Sequence, residues 1–131
     1  GNVAGRRPLA PEPTPMSAYR RGSVVLVRLD PVEGSEQGKT RPCVVVQNDV
    51  ANRISRTVTI VPIVGYMDKI ASYPVCVAVD AGVGGLRHRS IVNCAHVRTV
   101  VAARIAATPI GQLPAATMIH VDDALRVHMA L

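Results

Sequence analysis

The residues best equipped for chemistry lie in one polar loop and the strand that follows it, GSEQGKTRPCVVVQND, from Gly34 to Asp49. Arg41 sits where the loop meets the strand. A guanidinium presents a planar fork of donors that matches a phosphate, and a rigid strand behind it would hold the fork in place. It stays charged at any working pH and is a poor proton acceptor, so its natural task is to stabilise charge that builds in a transition state. Glu36, five residues upstream in the same loop, is placed to take a hydroxyl proton or to orient Arg41 through an ion pair. Taken alone, an Arg–Glu pair in a loop is more often a solvated salt bridge. Ser35, Gln37, Lys39 and Thr40 add donors, while Gly34 and Gly38 let the backbone approach a ligand. This is not a nucleotide-binding P-loop: Gly38-Lys39-Thr40 is followed by Arg41-Pro42 and a strand, where a P-loop requires a helix.

Other reactive side chains are scattered. Only His96 of the four histidines is near a thiol, Cys94. The C-x-H alternation would put both on one strand face, yet two ligands do not make a zinc site, and no metal site is expected. Cys43, Cys76 and Cys94 lie in apolar runs without a CxxC pair, which reads as buried free thiols in a reducing compartment. Arg87, His88 and Arg89 form a basic knuckle after a glycine-rich turn, with Tyr66 and Lys69 in the segment after the third predicted strand. Together they would suit a groove for single-stranded nucleic acid, Tyr66 offering a stacking face; ordinary solvated loop charge is the competing reading.

The elements that must position these groups are strands. Among 131 residues there is no Trp or Phe and only three Tyr, so the core must come from Val, Ile, Leu, Ala and Met. Val is abundant, which favours β structure. Runs at 23–30, 42–47, 57–64, 75–80, 90–97 and 98–103 are separated by turn signals, as in a small barrel or sandwich. Residues 48–55 read as extended or briefly helical. From Leu113 the period changes: Leu113, Met118, Val121, Leu125, His128 and Met129 recur at helical steps, with Pro114 suited to a first turn and His120 and His128 at the surface or core edge. The expected fold is mostly β (α+β), a small barrel closed by a C-terminal helix. The length supports a single domain.

Net charge is +6, which points to a polyanionic partner. Half of it resides in residues 1–21, so the remainder is only mildly basic, as befits a localised anion site. Residues 1–15 are Pro-rich and aperiodic, and 1–20 are expected to be a disordered or extension segment ahead of a domain at 21–131, with Met16 a plausible natural start. No apolar stretch reaches the roughly 18 residues of a membrane span, and no signal peptide is evident, so a soluble cytoplasmic protein is expected.

The order RG-x6-LDP, then GSEQ-x3-RP-x-VVVQND, then NRISRTVTIVPI, then RSIVNCAHVRTV resembles the MazF/PemK toxins of bacterial toxin–antitoxin systems, over nearly everything from Arg21 to Leu131. The resemblance implies an SH3-like β-barrel, a homodimer, a MazE-like antitoxin, and metal-independent, cofactor-free cleavage of single-stranded mRNA at short motifs. It places Arg41 on the family's catalytic arginine and Glu36 on its loop glutamate. Ser35, Gln37, Lys39, Thr40, Val64, Tyr66, Lys69, His96 and Arg98 become RNA-contacting candidates. The implied reaction is attack by a ribose 2'-hydroxyl on the adjacent phosphate, giving a cyclic phosphate and a free 5'-hydroxyl. Two positions depart from the pattern. Val64 stands where the family carries a threonine or serine facing the arginine, and His96 stands where a glutamine is common. Val64 keeps open a weakened or non-catalytic member that binds antitoxin. The related CcdB group, gyrase poisons on the same barrel, is a further alternative, disfavoured by GSEQGKTRP and by a C-terminus without a Trp anchor.

Overall fold

The structure, a computed structural model, describes residues 18–29 and 39–131. The expected disorder of residues 1–15 and the positions of Ser35, Glu36 and Gln37 lie outside the described residues.

Among the described residues, seven strands form one antiparallel curled sheet. They are β1 (Ser23–Leu29), β2 (Lys39–Val45), β3 (Thr57–Gly65), β4 (Cys76–Val79), β5 (Ser90–Asn93), β6 (Arg98–Val101) and β7 (Gly111–Gln112), in the order β4-β5-β3-β2-β1-β7, with β6 on the first half of β3. Helix α1 (Asp49–Ile54) joins β2 to β3, α2 (Asp68–Ala71) precedes β4, and α3 (Ala115–Met129) closes the chain. The mostly β barrel with a C-terminal helix anticipated from the sequence is the fold found.

The continuous apolar runs of β1, β2 and β3 follow from burial on both faces, where strict alternation is not required. Val24, Val44, Val61 and Ile63 face a core completed by Val77, Val92, Leu113 and the Met118–Val121–Ala124 stripe of α3. Their neighbours Val25, Val27, Cys43, Val45, Val58 and Ile60 point the other way, into a second core with Val100 and Ile105, against which Tyr19 packs. Closure comes from the chain after β6. It bridges Val27 through Ile105, and Ala106 and Ile110 donate backbone N–H groups to Leu26 and Val24 at 2.9 and 2.8 Å.

Helix α3 is anchored by Arg21, whose guanidinium reaches Asp122 at 2.7 Å and the Val46 carbonyl at 2.8 Å. The QND motif has a structural task in the same region. Asn52, 2% exposed, donates to the Gln47 carbonyl and to Asp49, while Asn48 caps α1 through the Ala51 N–H. His120 and His128 lie at the α3 surface.

One expected strand is shorter than its sequence implied. After Asn93 the chain enters a 3-10 turn, Cys94–His96, in which Cys94 is buried and His96 exposed, so the two do not share a face. The Asn93 side chain accepts from the Ala95 N–H at 3.1 Å and starts the turn. All three cysteines are free thiols; Cys43 and Cys94 are buried and Cys76 only partly.

Candidate active site

Two prolines shape the site. Thr59 accepts backbone bonds from Val46 and Gln47, so the even-numbered residues of β2 aim their N–H groups at β3, and the even-numbered residues of β3 aim theirs away from β2. Position 62 falls where β3 hands over from β6, whose pairing ends at Ile60, to β5, whose pairing starts at Ile63. No ladder donor is needed there, and Pro62 fits. Pro42 instead stands where a donor toward Ile63 would continue the β2–β3 ladder. The ladder stops at Cys43–Pro62.

One step beyond Pro42 and Ile63 in that register come Arg41 and Val64, on the same face, at the point where the two strands part. Arg41 stays paired on its other side with Val27 of β1. The opening is a cleft of about 610 Å³. Its apolar walls are Leu26, Pro42, Ile63, Leu86 and Ile110; Val64 lies between them, and Arg41, Arg87 and His88 supply its charge and titratable groups. None of the described residues lining it is acidic. A cleft with this lining suits a phosphate diester, the guanidinium taking the anion and the walls taking ribose or base.

The far wall is the connection from β4 to β5, and its placement depends on glycine. Gly85 has φ +79°, and a Cβ there would strike the Ile110 carbonyl; a Cβ on Gly111 would strike the Gly84 carbonyl. These glycines allow the turn to lie directly on the β7 segment. At the other end of the turn, Ser90 donates its hydroxyl to the His88 carbonyl at 2.7 Å, and Tyr66 donates its N–H to the Arg89 carbonyl at 3.2 Å.

Arg41 and Arg98 act together on the Cys43 thiol. Burial pushes that thiol up to about 12, and Arg98 and then Arg41 oppose the shift. Arg98 lies on β6, paired with Ile60 of β3. Lys39 and Thr40 are exposed at the start of β2. Tyr66 follows the cleft residue Gly65 and lies under Arg89, whose guanidinium carbon is 3.7 Å from the ring centroid. Lys69 is exposed on α2, and His96 is exposed on its turn; neither lines the cleft. Among the described residues, no three His, Cys, Asp or Glu side chains converge as metal ligands would.

The structure therefore joins Arg41 and Val64 in one cleft with Tyr66 at its margin, while Arg98 does not line it. It adds Arg87 and His88, which the sequence offered only as a basic knuckle. The signal was the Gly82–Gly85 turn just before them. A second cavity, of about 580 Å³ between Tyr19, Arg53 and Gln112, contains none of the anticipated site residues. Its Asp49 is already engaged, accepting the Arg21 N–H at 2.7 Å, an arrangement that with Asn52 holds the carboxyl below its ordinary value.

The chain is similar to known proteins over most of its length. Endoribonuclease EndoA of Bacillus subtilis is 38% identical over 112 residues, covering 86% of this chain and 95% of that protein. Endoribonuclease MazF9 of Mycobacterium tuberculosis is 37% identical over 117 residues, covering 86% and 97%. Among solved structures, a mycobacterial endoribonuclease in complex with its cognate antitoxin shares the fold with a TM-score of 0.71 at 23% identity, covering 87% of this chain and 97% of that one. The MazE–MazF complex of Deinococcus radiodurans gives 0.71 at 22%, with coverage of 87% and 97%. The sequence profile described as PemK-like, MazF-like toxin of type II toxin-antitoxin system matches residues 20–129. The chain belongs to this PemK/MazF toxin family.

Proposed function

We propose that the protein is the toxin of a type II toxin–antitoxin pair and acts as a sequence-specific, metal-independent endoribonuclease on single-stranded mRNA. The observation that carries this reading is the placement of Arg41 opposite Val64 in a cation-lined cleft, in a chain 38% identical to an endoribonuclease. The reaction is attack of a ribose 2'-oxygen on the adjacent phosphorus with departure of the 5'-oxygen. Arg41 binds the phosphate and stabilises the extra negative charge of the phosphorane. Glu36 takes the proton of the 2'-hydroxyl. Ser35, Gln37, Lys39 and Thr40 bind the RNA, and Tyr66, Lys69, His96 and Arg98 extend the contact along its strand.

Val64 contributes no hydrogen bond to the phosphorane, and the enzyme is accordingly slower than relatives with a hydroxyl at that position. The protein works as a homodimer in the cytoplasm and is restrained by a MazE-like antitoxin. Among the described residues, no helix is long and apolar enough to cross a membrane. Exposed apolar side chains, including Ile54 at 77% and Ile119 at 60%, supply surface for protein partners.

The test is incubation of the purified protein with unstructured RNA in EDTA, beside Arg41→Ala. Discrete cuts by the wild type and none by the variant are expected. Intact RNA at high protein concentration would leave a non-catalytic, antitoxin-binding family member.

A further inference from the structure

The cleft contains an anion-stabilising group on one wall and a different kind of group on the other. Arg41 projects from β2, whereas His88 comes from the turn leading into β5. Val64 lies on β3 between those two strands of the sheet. The backbone at His88 is held by two bonds on its carbonyl side. Its carbonyl accepts the hydroxyl of Ser90, which is 6% exposed and pairs with Gly65, the residue after Val64. The neighbouring Arg89 carbonyl accepts the Tyr66 N–H. Yet the His88 side chain is exposed at the cleft, open to solvent and to a bound strand.

We propose that His88 is the general acid of this cleft, protonating the 5'-oxygen as it leaves. The inference rests on the endoribonuclease reading above and deepens it. In that reaction the 2'-hydroxyl gives its proton to the base, and its oxygen forms a new bond to phosphorus. The bond from phosphorus to the 5'-oxygen breaks, its electron pair stays on that oxygen, and a proton from imidazolium makes the 5'-hydroxyl. The products are a 2',3'-cyclic phosphate and a 5'-hydroxyl end; bulk water later reprotonates the imidazole.

In-line displacement puts nucleophile and leaving group on opposite sides of the phosphorus, so a phosphate held by Arg41 on one wall needs a proton donor on the leaving-group side, and His88 stands on the facing wall of the same cleft. A guanidinium surrenders a proton far less readily, and Val64 has none to give. Imidazole is the side chain whose ordinary titration lies near neutral pH, which lets it donate and recover a proton in each turnover. The charged groups around His88 are Arg41 from β2 and Arg87 and Arg89 of its own turn, and Tyr66 follows β3.

The experiment compares wild type and His88→Gln on two RNAs of one sequence, one unmodified and one with a bridging sulfur in place of the 5'-oxygen at the cut. Thiolate leaves without a proton. His88→Gln is expected to cut unmodified RNA about 100-fold more slowly or worse, and to cut the sulfur-bridged RNA within about threefold of wild type. Wild-type cleavage of unmodified RNA should show a limb that descends toward high pH, and the variant should lack it. Equal losses on both RNAs, reproduced in a folded His88→Asn, would overturn the acid role and leave cleavage itself intact. A wild type that cuts neither RNA would overturn the endoribonuclease reading together with it.

Discussion

Restoring a hydroxyl at position 64 is the perturbation with the largest expected gain. In the register that runs from Val45–Ile60 to Cys43–Pro62, position 64 faces Arg41. In an unbroken ladder such a pair would have Cα atoms about 4.5 Å apart. The ladder ends at Pro42, so a phosphate seated on the Arg41 fork lies within reach of a threonine hydroxyl introduced on β3 in place of Val64. One hydrogen bond made to the phosphorane and not to the bound substrate is worth about 100-fold in rate, or about 2.7 kcal/mol. Val64 is only partly buried, so the added hydroxyl keeps access to water and should cost no more than about 1 kcal/mol of stability. Val64→Thr should therefore raise single-turnover cleavage of unstructured RNA in EDTA by roughly 100-fold, with RNA affinity and melting temperature little changed. A gain below about threefold in a normally folded variant would refute the argument, because it would mean that another group already occupies the position.

Three further outcomes follow from the same geometry. In the native protein Cys43 and Cys94, each pushed up to about 12 mainly by burial, should resist iodoacetamide at pH 8 while the more exposed Cys76 reacts first; mass spectrometry before and after unfolding reads this directly. Asp49 is held below its ordinary value chiefly by the Arg21 N–H and then by the Asn52 amide, so its contribution is present above about pH 3.9 and is lost as pH falls through the folded value. Asp49→Asn should lower stability at neutral pH and narrow its acid dependence in chemical denaturation. Gly111→Ala drives a Cβ into the Gly84 carbonyl and should cost about 1–3 kcal/mol, with weakened RNA cleavage because Gly85 and Ile110 line the cleft.

The strands and α3 were legible because their signals are local: apolar runs between turn residues, then a helical period from Met118 to Leu125. Arg41 was legible because a polar glycine-rich run gives way to a β-branched one beside it, although the strand itself begins two residues earlier, at Lys39. The Cys94–His96 turn was not, because the apolar alternation continues through it while the Asn93 side chain diverts the backbone. The partnership of His88 with Arg41 was hidden for a different reason. It requires β5 to lie beside β3 and the 82–86 turn to settle on β7, contacts between segments far apart in sequence. The opening at Pro42 depends on which edge of β2 its missing N–H faces, and pairing alone decides that.

The central claim is that Arg41 promotes attack by a ribose 2'-oxygen. Its most direct test maps one cut in a defined RNA, then removes only the 2'-hydroxyl on the 5' side of that phosphate. The account predicts that the unmodified RNA yields a 2',3'-cyclic phosphate and a 5'-hydroxyl, that Arg41→Ala yields neither, and that the deoxy-substituted RNA stays intact at that site. Cleavage of the deoxy-substituted RNA at the same bond would contradict it.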